Sequence, residues 1–462
     1  MINRREFLSS TSQAGLGLSA AVTATAGTLP LLFNEKVNAY GVAPEGKKKL
    51  RVGLIGCGWY GMVSLRHLIE LEVKQGGAEV VALCDVDSNH LQQSVREVEG
   101  VQKSSPVTFK DYREMLKPKN LDVVLVATPD HWHALCGIAA LEAGADLYIE
   151  KPLCHTYEEG VALVQAAKKN KRVVQVNMQR RSTPHLVKAR ELVQSGKLGT
   201  VGMVRAYCYY NMRGNDNPPD GPAPKNLDFD FWTGPAPLRA YNPLVHPKGW
   251  RKFMEYSNGI LGDMGVHMLD VARWFLHLGL PRTISSTGGI YVLKGGKSNI
   301  TDTQMVTYDY GDLVATWEHR TFGRADDPAW GWGVNFFGSK GTLQVALDRW
   351  EFQPAGFGGK SEKMHAEIKI DPAGKEEANV TPGGRAHMKN FLECVQTRQQ
   401  PVSNIEEGLQ SAALCLFGNI SQKLNRSVTW DAKSGKFKDD EEANKLLRRD
   451  YRQPWTYPVT QS

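Results

Sequence analysis

The stretch Arg51–Gly61 constrains the fold more than any other part of the chain. It begins with an apolar run that is typical of a buried strand. Directly after this run come three glycines with the spacing G-x-G-x-x-G, namely Gly56, Gly58 and Gly61. In such a turn the first glycine makes the bend, the second lets the backbone approach a pyrophosphate, and the third lets the next helix pack closely. The stretch therefore predicts a strand, a phosphate-binding turn and a helix whose N-terminus favours an anion.

A carboxylate follows the next apolar run, Val80–Cys84, at the distance expected for ribose recognition. Asp85 comes directly after this run, roughly 20 residues beyond the turn, where an acidic residue accepts hydrogen bonds from an adenosine ribose. Asp85 would also repel a 2′-phosphate, and Asp87 would add to that repulsion. The sequence thus predicts a Rossmann site that prefers NAD to NADP; the alternative is that Asp85 merely starts a loop. The other turn residues expected to contact the cofactor are Cys57, Trp59 and Tyr60.

Strand-like and helical patterns alternate through residues 49–176, which predicts a doubly wound parallel sheet covered on both faces. The predicted strands are Leu50–Ile55, Val80–Leu83, Leu121–Ala127, Asp146–Ile149 and Arg172–Val176. The predicted helices are Met62–Val73, Leu91–Glu97, Tyr112–Leu116, His133–Ala143 and Tyr157–Asn170.

Longer β-rich runs from residue 200 onward predict a second α/β domain with a large, mostly antiparallel open sheet. Its predicted strands are Val201–Tyr210, Thr283–Val292, Thr303–Tyr310, Leu313–Arg320, Val334–Phe337 and Thr342–Ala346. The segment 212–247 is loop-like and long enough to predict a function.

We therefore divide the chain into five parts. These are a signal peptide (1–39), a linker (40–48), a Rossmann domain (49–176), a substrate and oligomerisation domain (177–425) whose residues 385–425 are helical, and a C-terminal tail (426–462) whose residues 439–462 could wrap over a neighbour.

The N-terminus resembles a twin-arginine export signal. Arg4 and Arg5 precede a weakly apolar stretch, Ala14–Phe33, and Val37–Ala39 suits cleavage after small residues. The alternatives are a membrane anchor or an ordinary amphipathic N-terminus; Pro30 and many small polar residues disfavour the anchor. We expect a periplasmic or otherwise exported protein without a membrane span in its mature form. Because this export machinery carries folded proteins, a tightly held dinucleotide would fit the route.

Charge and cysteine usage exclude some classes of protein. The formal net charge of +7 comes from 56 basic and 49 acidic residues spread along the chain, so no basic stripe indicates a nucleic-acid partner. The 7 cysteines include no C-x-x-C pair. They are expected to be buried thiols, neither a disulfide framework nor a zinc site.

Two stretches carry candidate chemistry. In the first, Glu150, Lys151 and Pro152 follow a predicted strand, at the edge where open α/β sheets bind ligands. The ammonium of a partly desolvated Lys151 could hydrogen-bond a substrate oxygen and exchange a proton with it. The alternative, a solvated surface lysine, is disfavoured by its neighbours at a strand end.

The second stretch runs from Gly259 to Asp270. Asp263 and His267 lie four residues apart and are expected on one helical face, where the carboxylate could orient the imidazole as a general base. In the alternative, Asp263 only caps the helix and satisfies His267. A metal cluster with Asp270 is disfavoured because no cysteine or glutamate is suitably spaced, so no metal is expected.

These motifs together resemble the Gfo/Idh/MocA oxidoreductases, the group of glucose-fructose oxidoreductase and inositol dehydrogenase. The resemblance covers residues 49–425, and Glu-Lys-Pro is its most specific element. It implies a Rossmann domain followed by an α/β domain whose open sheet builds homodimers or homotetramers. It assigns a catalytic lysine to Lys151, an acid/base histidine to His267, a helper aspartate to Asp263, the nicotinamide side to Thr128 and Pro129, and a cofactor contact to Glu150.

Further residues near these motifs are candidates for ligand contacts. His131 and His133 are expected beside the cofactor, and Trp132 either stacks on a sugar ring or plugs the core. The other substrate candidates are Gln179, Arg180, Tyr241, His246, Trp250 and Arg251. The alternative for the paired arginines Arg180 and Arg181 is a structural role, because such pairs more often form ion pairs.

The resulting hypothesis is an NAD(P)-dependent oxidoreductase acting on a secondary alcohol of a sugar, polyol or glycoside, with a tightly bound nicotinamide. Two alternatives remain. One is a glycosidase-type enzyme that uses NAD for transient sugar oxidation followed by elimination or hydrolysis. The other is a non-catalytic sugar- or nucleotide-binding protein.

Overall fold

The computed structural model describes residues 48–356, 358–366 and 381–458. The predicted export signal lies outside the described residues. Within them, no helix is both long and apolar enough to cross a membrane.

The first domain contains a six-stranded parallel sheet with the order β3-β2-β1-β4-β5-β6. Its strands are β1 Leu50–Ile55, β2 Ala78–Cys84, β3 Val107–Phe109, β4 Val123–Val126, β5 Asp146–Ile149 and β6 Val174–Val176. The strand order reverses between β1 and β4, and this switch point is where open α/β sheets bind dinucleotides. The predicted doubly wound sheet is confirmed. The short edge strand β3 was not predicted, because its residues are mostly exposed.

The helices of this domain lie close to their predicted positions. They are α1 Trp59–Leu68, which continues as a π-helical turn Ile69–Val73, α2 Ser88–Gln102, α3 Tyr112–Leu116, α4 His133–Glu142 and α5 Tyr157–Asn170. The side chain of Asp87 caps α2 by accepting a hydrogen bond from the N–H of Asn89. A capping box formed by Thr156 and Glu159 begins α5.

The second domain contains a ten-stranded sheet with the order β14-β13-β12-β11-β7-β10-β9-β8-β15-β16. Its strands are β7 Val201–Cys208, β8 Thr283–Gly289, β9 Thr303–Asp309, β10 Val314–Arg320, β11 Trp332–Gly338, β12 Gly341–Ala346, β13 Arg349–Pro354, β14 Glu362–His365, β15 Val428–Asp431 and β16 Lys436–Phe437. Within the described part of this sheet, β7–β10 is the only parallel pair, so the predicted, mostly antiparallel sheet is confirmed.

Helices cover one face of this sheet. The helices of this half of the chain are α6 Pro184–Gln194, α7 Phe229–Thr233, α8 Val266–Leu276, α9 Thr381–Thr397, α10 Ile405–Leu424 and α11 Glu441–Lys445. The face toward α8 and α10 carries buried side chains such as Val306 and Trp317, whereas the opposite face exposes Met203, Met305 and Val314. Helix α9 instead packs on α1 of the first domain.

The last described segment packs on its own chain, and a contact of the tail with a neighbour stays a prediction. The fully buried carboxylate of Glu159 accepts hydrogen bonds from Arg449 and Tyr451. The indole of Trp455 lies edge-on to Trp132, with ring centroids 4.7 Å apart. All seven cysteines are buried and unpaired, as predicted.

Candidate active site

A cavity of about 490 Å³ lies between the two domains, at the carboxyl ends of the strands around the switch point. The first domain lines it with the glycine turn, Asp85, Thr128 and Lys151, and the second domain with Arg180 and His267. Residues that the sequence assigned to the two ends of a dinucleotide therefore line one cavity.

The glycine turn has the geometry that a pyrophosphate requires. Gly56 has a φ of +92°, and a Cβ added to it would lie 2.6 Å from the carbonyl oxygen of Ala127. A Cβ on Gly61 would lie 1.9 Å from the carbonyl oxygen of Gly56. At Gly58 the nearest heavy atom is 3.8 Å away, in the ring of His90. The first and third glycines are thus required for packing, and the second leaves open the space through which a phosphate can approach.

The carboxylate of Asp85 is fixed at the edge of the cavity by backbone donors. Its Oδ2 accepts a hydrogen bond from the N–H of Cys57 at 2.7 Å, and its Oδ1 accepts one from the N–H of Asp87 at 2.8 Å. His90 Nδ1 lies 3.7 Å from Oδ2, and the nearby Asp85 carboxylate raises the pKa of His90. A carboxylate has further lone pairs, so Asp85 can still accept hydrogen bonds from ribose hydroxyls.

Glu150 is a buried carboxylate at the end of β5 that lines the same cavity. Its Oε1 accepts hydrogen bonds from Asn177 Nδ2 at 2.6 Å and from Ser64 Oγ at 3.2 Å. Burial raises its pKa despite these donors. Thr128 and Pro129 follow β4 and line the neighbouring wall, where the sequence placed the nicotinamide.

Lys151 and Asp263 form a mostly buried ion pair. The Lys151 Nζ donates to Asp263 Oδ1 at 2.7 Å and to the Asp263 carbonyl oxygen at 2.8 Å. Arg251 Nε lies 3.5 Å from the same Oδ1. Although burial opposes ionisation, Lys151 and Arg251 hold the pKa of Asp263 below its ordinary value. The ammonium is therefore held in place by a fixed negative charge.

His267 lines the cavity as a neutral imidazole. Burial lowers its pKa well below the ordinary value, and the charges of Lys151 and Arg180 lower it further. Its ring packs against Trp332, with centroids 5.5 Å apart. Among the described residues, no hydrogen-bond partner meets the buried Nδ1.

The expected pairing of Asp263 with His267 is not formed. Leu261–Gly265 is a π-helical turn that precedes α8, so residues four apart do not align there as they would in an α-helix. The Asp263 carboxylate instead bonds to Lys151, whose position in the fold could not be read from the local sequence.

Asp130 is a functional candidate that sequence reasoning missed. It follows Pro129, is 3% exposed and lines the cavity. Burial raises its pKa to about 8, an effect that the nearby Lys151 reduces and Asp263 increases. The sequence signal for Asp130 was its position at the end of a predicted strand, directly after two residues that were already assigned to the site.

Models of one protein family match both domains. One, described as an oxidoreductase family with an NAD-binding Rossmann fold, matches residues 50–178. Its companion, described as the C-terminal alpha/beta domain of that oxidoreductase family, matches residues 184–312 and 345–457. The chain belongs to the Gfo/Idh/MocA oxidoreductase family. Its first domain is therefore the NAD-binding domain of that family, as the resemblance implied.

Individual relatives of this Gfo/Idh/MocA protein match over shorter stretches. A glycosyl hydrolase family 109 protein of Shewanella pealeana is 31% identical over 183 residues, which are 37% of this chain and 38% of that protein. Inositol 2-dehydrogenase of Salmonella typhimurium is 30% identical over 161 residues, which are 35% of this chain and 46% of that enzyme. The matches thus span less than half the length of each curated relative.

A solved structure of similar fold is the WlbA dehydrogenase from Bordetella pertussis, in complex with NADH and UDP-GlcNAcA. It is 20% identical, has a TM-score of 0.60, and covers 83% of this chain and 99% of its own. At this identity the likeness shows that the two chains share a fold.

The second domain supplies the remaining wall of the Gfo/Idh/MocA site. Gln179 and Arg180 line the cavity, as expected, from a 3₁₀ turn after β6, and Trp250 lines it with Arg251 stacked 4.2 Å over its ring. Sequence reasoning missed Trp332, whose ring lies 5.3 Å from the Arg180 guanidinium. It also missed Tyr210, Met212 and Lys248. These residues meet only because distant strands pair, as β7 and β11 do.

Contacts with the cofactor were expected for His131 and His133. Both side chains are instead buried behind the site and do not line the cavity. His131 Nε2 lies 3.1 Å from the carbonyl oxygen of Trp232. His133 places Nδ1 2.7 Å from the Pro152 carbonyl oxygen and Nε2 3.0 Å from the Thr128 carbonyl oxygen. His133 thus bridges the two strand ends that carry the site.

Trp132 and Tyr241 do not have the geometry of exposed sugar platforms. Trp132 lines the cavity, but it is 4% exposed, donates its indole N–H to the Trp232 carbonyl oxygen at 2.8 Å and stacks on Phe231, which favours the core role. Tyr241 packs edge-on against Phe229 and is not among the residues that line the cavity.

Asp87, His90 and His246 bring potential metal ligands together near the ribose end. One donor atom from each lies within 4.8 Å of the others. The Asp87 carboxylate is, however, already engaged, because Oδ2 lies 2.8 Å from His246 Nε2 and Oδ1 accepts from Asn226 and the Asn89 N–H. His246 lines the cavity while its Nε2 is engaged by Asp87. The polyol contact expected for His246 and the expectation of no metal both stay predictions.

Proposed function

We propose that this protein is an exported NAD-dependent oxidoreductase that acts on a secondary alcohol of a carbohydrate. The observation that carries the proposal is the placement of a neutral His267 and an ion-paired Lys151 in the cavity that also holds the glycine turn and Asp85. The similar proteins support the substrate class, since they include an inositol dehydrogenase and a dehydrogenase in complex with UDP-GlcNAcA.

The residues present fit a dinucleotide, as the open approach at Gly58 and the fixed carboxylate of Asp85 show. When bound, the nicotinamide supplies the hydride acceptor or donor. His267 would take the proton of the substrate hydroxyl, because a neutral imidazole is competent as a base at neutral pH. Lys151 would donate a hydrogen bond to the same oxygen and stabilise its developing negative charge. In the reverse direction the two residues return the proton to a keto-sugar.

NAD is favoured over NADP by the charges around the ribose end. Asp85 points both carboxylate oxygens at fixed backbone donors. For Asp87, burial is outweighed by the hydrogen bonds from Asn226 and His246, so its pKa is lowered and it remains ionised. A 2′-phosphate would therefore meet the carboxylate of Asp85, and the charge of the buried Asp87 behind it would add to the repulsion.

The decisive experiment is a dehydrogenation assay of the purified protein with a panel of sugars, polyols and glycosides. Lys151→Ala and His267→Ala should each lower kcat by on the order of 10²-fold or more. Lys188→Ala is a matched control, because that lysine is exposed and pairs, among the described residues, with Glu191 on the surface of α6. Full turnover in either site variant would refute the assignment.

A second candidate function is a glycosidase-type reaction, favoured by the family 109 relative. In that reaction the sugar is oxidised transiently and is released by elimination or hydrolysis, so reduced cofactor does not accumulate. Incubation with nitrophenyl glycosides separates the two functions. Release of nitrophenol without net NADH indicates the glycosidase, whereas stoichiometric NADH with an unmodified glycosidic bond indicates the dehydrogenase.

We also infer a homodimer or homotetramer and a periplasmic or otherwise exported location. The outer face of the ten-stranded sheet exposes Met203, Met305 and Val314 beside the Arg205–Glu318 ion pair, and exposed apolar side chains on a sheet face support association. Light scattering of wild type and Met305→Lys tests the oligomer. Cell fractionation with Arg4 and Arg5 replaced by lysine tests export through the twin-arginine machinery.

A further inference from the structure

Part of the second domain crosses the cavity and binds the first domain. We call residues 221–250 the covering segment. Backbone hydrogen bonds join it to the loop after β2, from the Ser88 N–H to the Asn226 carbonyl oxygen at 2.9 Å and from the Asp228 N–H to the Val86 carbonyl oxygen at 3.1 Å. The covering segment thus adds a short antiparallel pairing to the loop that carries the ribose-binding carboxylate.

Two side chains of the covering segment reach the same residue of that loop. Asp87 Oδ1 accepts a hydrogen bond from Asn226 Nδ2 at 2.8 Å, and Oδ2 lies 2.8 Å from His246 Nε2. Asp87 is 4% exposed and its two partners are half-buried, so these are partly buried hydrogen bonds to a charged acceptor, which are stronger than neutral ones. We call Asp87, Asn226 and His246 the latch.

The covering segment encloses the cavity beyond the latch. His246, Lys248 and Trp250 line it opposite the glycine turn. Lys248 Nζ lies 4.0 Å from the ring centroid of Trp59, which begins α1 directly after Gly58. The covering segment therefore closes over the turn at which the pyrophosphate would bind.

The C-terminal residues hold the covering segment from outside. Arg452 Nη1 bonds to Asp230 Oδ1 at 2.7 Å, and its Nε donates to the Gly234 carbonyl oxygen at 3.0 Å. Trp455 packs edge-on to Phe231, with centroids 5.3 Å apart. The segment is thus held at both faces, and opening it requires breaking charged hydrogen bonds.

We propose that the latch makes the dinucleotide a resident group, because the cofactor can enter or leave only when the bonds from Asn226 and His246 to Asp87 break. Asn226 and His246 are positioning residues in this proposal, since they act on the cofactor through the covering segment. The proposal rests on the proposed function, which supplies the dinucleotide. It also provides a structural reason why an exported oxidoreductase could keep its cofactor outside the cytoplasm.

The test measures exchange of bound cofactor, which is independent of turnover. The purified holoprotein is mixed with excess deuterium-labelled NAD, and the labelled fraction of retained cofactor is followed by mass spectrometry. Asn226→Ala and His246→Ala should each accelerate exchange about tenfold, the change that corresponds to losing one net hydrogen bond. His246→Gln should restore slow exchange, because the glutamine Nε2 can donate from nearly the same position.

His277→Asn is the matched control. His277 lies in the second domain at the end of α8, has a φ of +54° that asparagine tolerates, and does not line the cavity. The His277→Asn variant should leave the rate of cofactor exchange unchanged. Unchanged exchange in both latch variants, or wild-type exchange complete on mixing, would overturn the latch. Acceleration by a chelator would also overturn it, since a metal bound by Asp87, His90 and His246 would then hold the segment. If instead the wild type neither contains nor binds a dinucleotide, the proposed function itself fails.

Discussion

Breaking the buried Lys151–Asp263 pair should separate stability from activity. The two charged groups lie 2.7 Å apart, and their side chains are 12% and 13% exposed. At an effective dielectric constant of about 20, their Coulomb attraction is about 6 kcal/mol before desolvation is counted. Removing one partner of such a pair typically costs about 3–5 kcal/mol, because the other charge stays buried without compensation.

Asp263→Asn keeps the shape of the side chain and removes its charge. We expect the free energy of unfolding to fall by about 3 kcal/mol, toward the lower end of that range because Lys151 keeps the Asp263 carbonyl oxygen as an acceptor. The double variant Lys151→Met with Asp263→Leu replaces both charges by apolar groups. It should recover stability to within about 1 kcal/mol of the wild type, although activity stays lost.

The assay is equilibrium unfolding in urea of the cofactor-free proteins, followed by turnover measurements on the loaded ones. The double variant is the control for packing, because it removes the same contacts without stranding a charge. A loss below about 1 kcal/mol in Asp263→Asn would refute the reasoning, since a mostly buried charge would then be tolerated without its partner. A double variant as unstable as the single one would also refute it.

Three further predictions follow from the geometry. His267→Asn should lower kcat by about 10²–10⁴-fold with a change in unfolding free energy below about 1 kcal/mol, because its Nδ1 has no partner among the described residues; an equally large loss of stability would contradict this. Asp130 has its pKa raised by burial to about 8, so the folded state holds a proton that the unfolded state releases near pH 4. The contribution of Asp130 to the free energy of unfolding is therefore fully present below pH 4 and is lost as the pH rises toward 8. The urea unfolding midpoint of Asp130→Asn should not show this decline with pH. Gly61→Ala should disrupt folding because its Cβ would lie 1.9 Å from the Gly56 carbonyl oxygen, whereas Gly58→Ala should fold and lose NAD affinity, as thermal unfolding and calorimetric titration with NAD will show.

Local signals were sufficient for most of the first domain. Strands buried on both faces read as continuous apolar runs, and β5 and α5 have the predicted bounds. The glycine turn was equally predictable, because Gly56 and Gly61 answer steric requirements of their neighbours and Gly58 leaves space for a phosphate. Short edge strands such as β3 and β14 were missed, since they bury few side chains and carry little apolar signal.

The sequence by itself determined the Rossmann half and the glycine turn and supplied the candidate reacting side chains, because these depend on residues close together in the chain. Only the tertiary structure decided which partner each side chain has. Asp263 bonds to Lys151 across 112 residues, when a neighbour four residues away was expected. His246 reaches Asp87 across 159 residues, at the ribose end of the cavity. Periodicity and spacing report the face on which a side chain lies, whereas a hydrogen bond depends on positions that only the packed sheets and helices bring together.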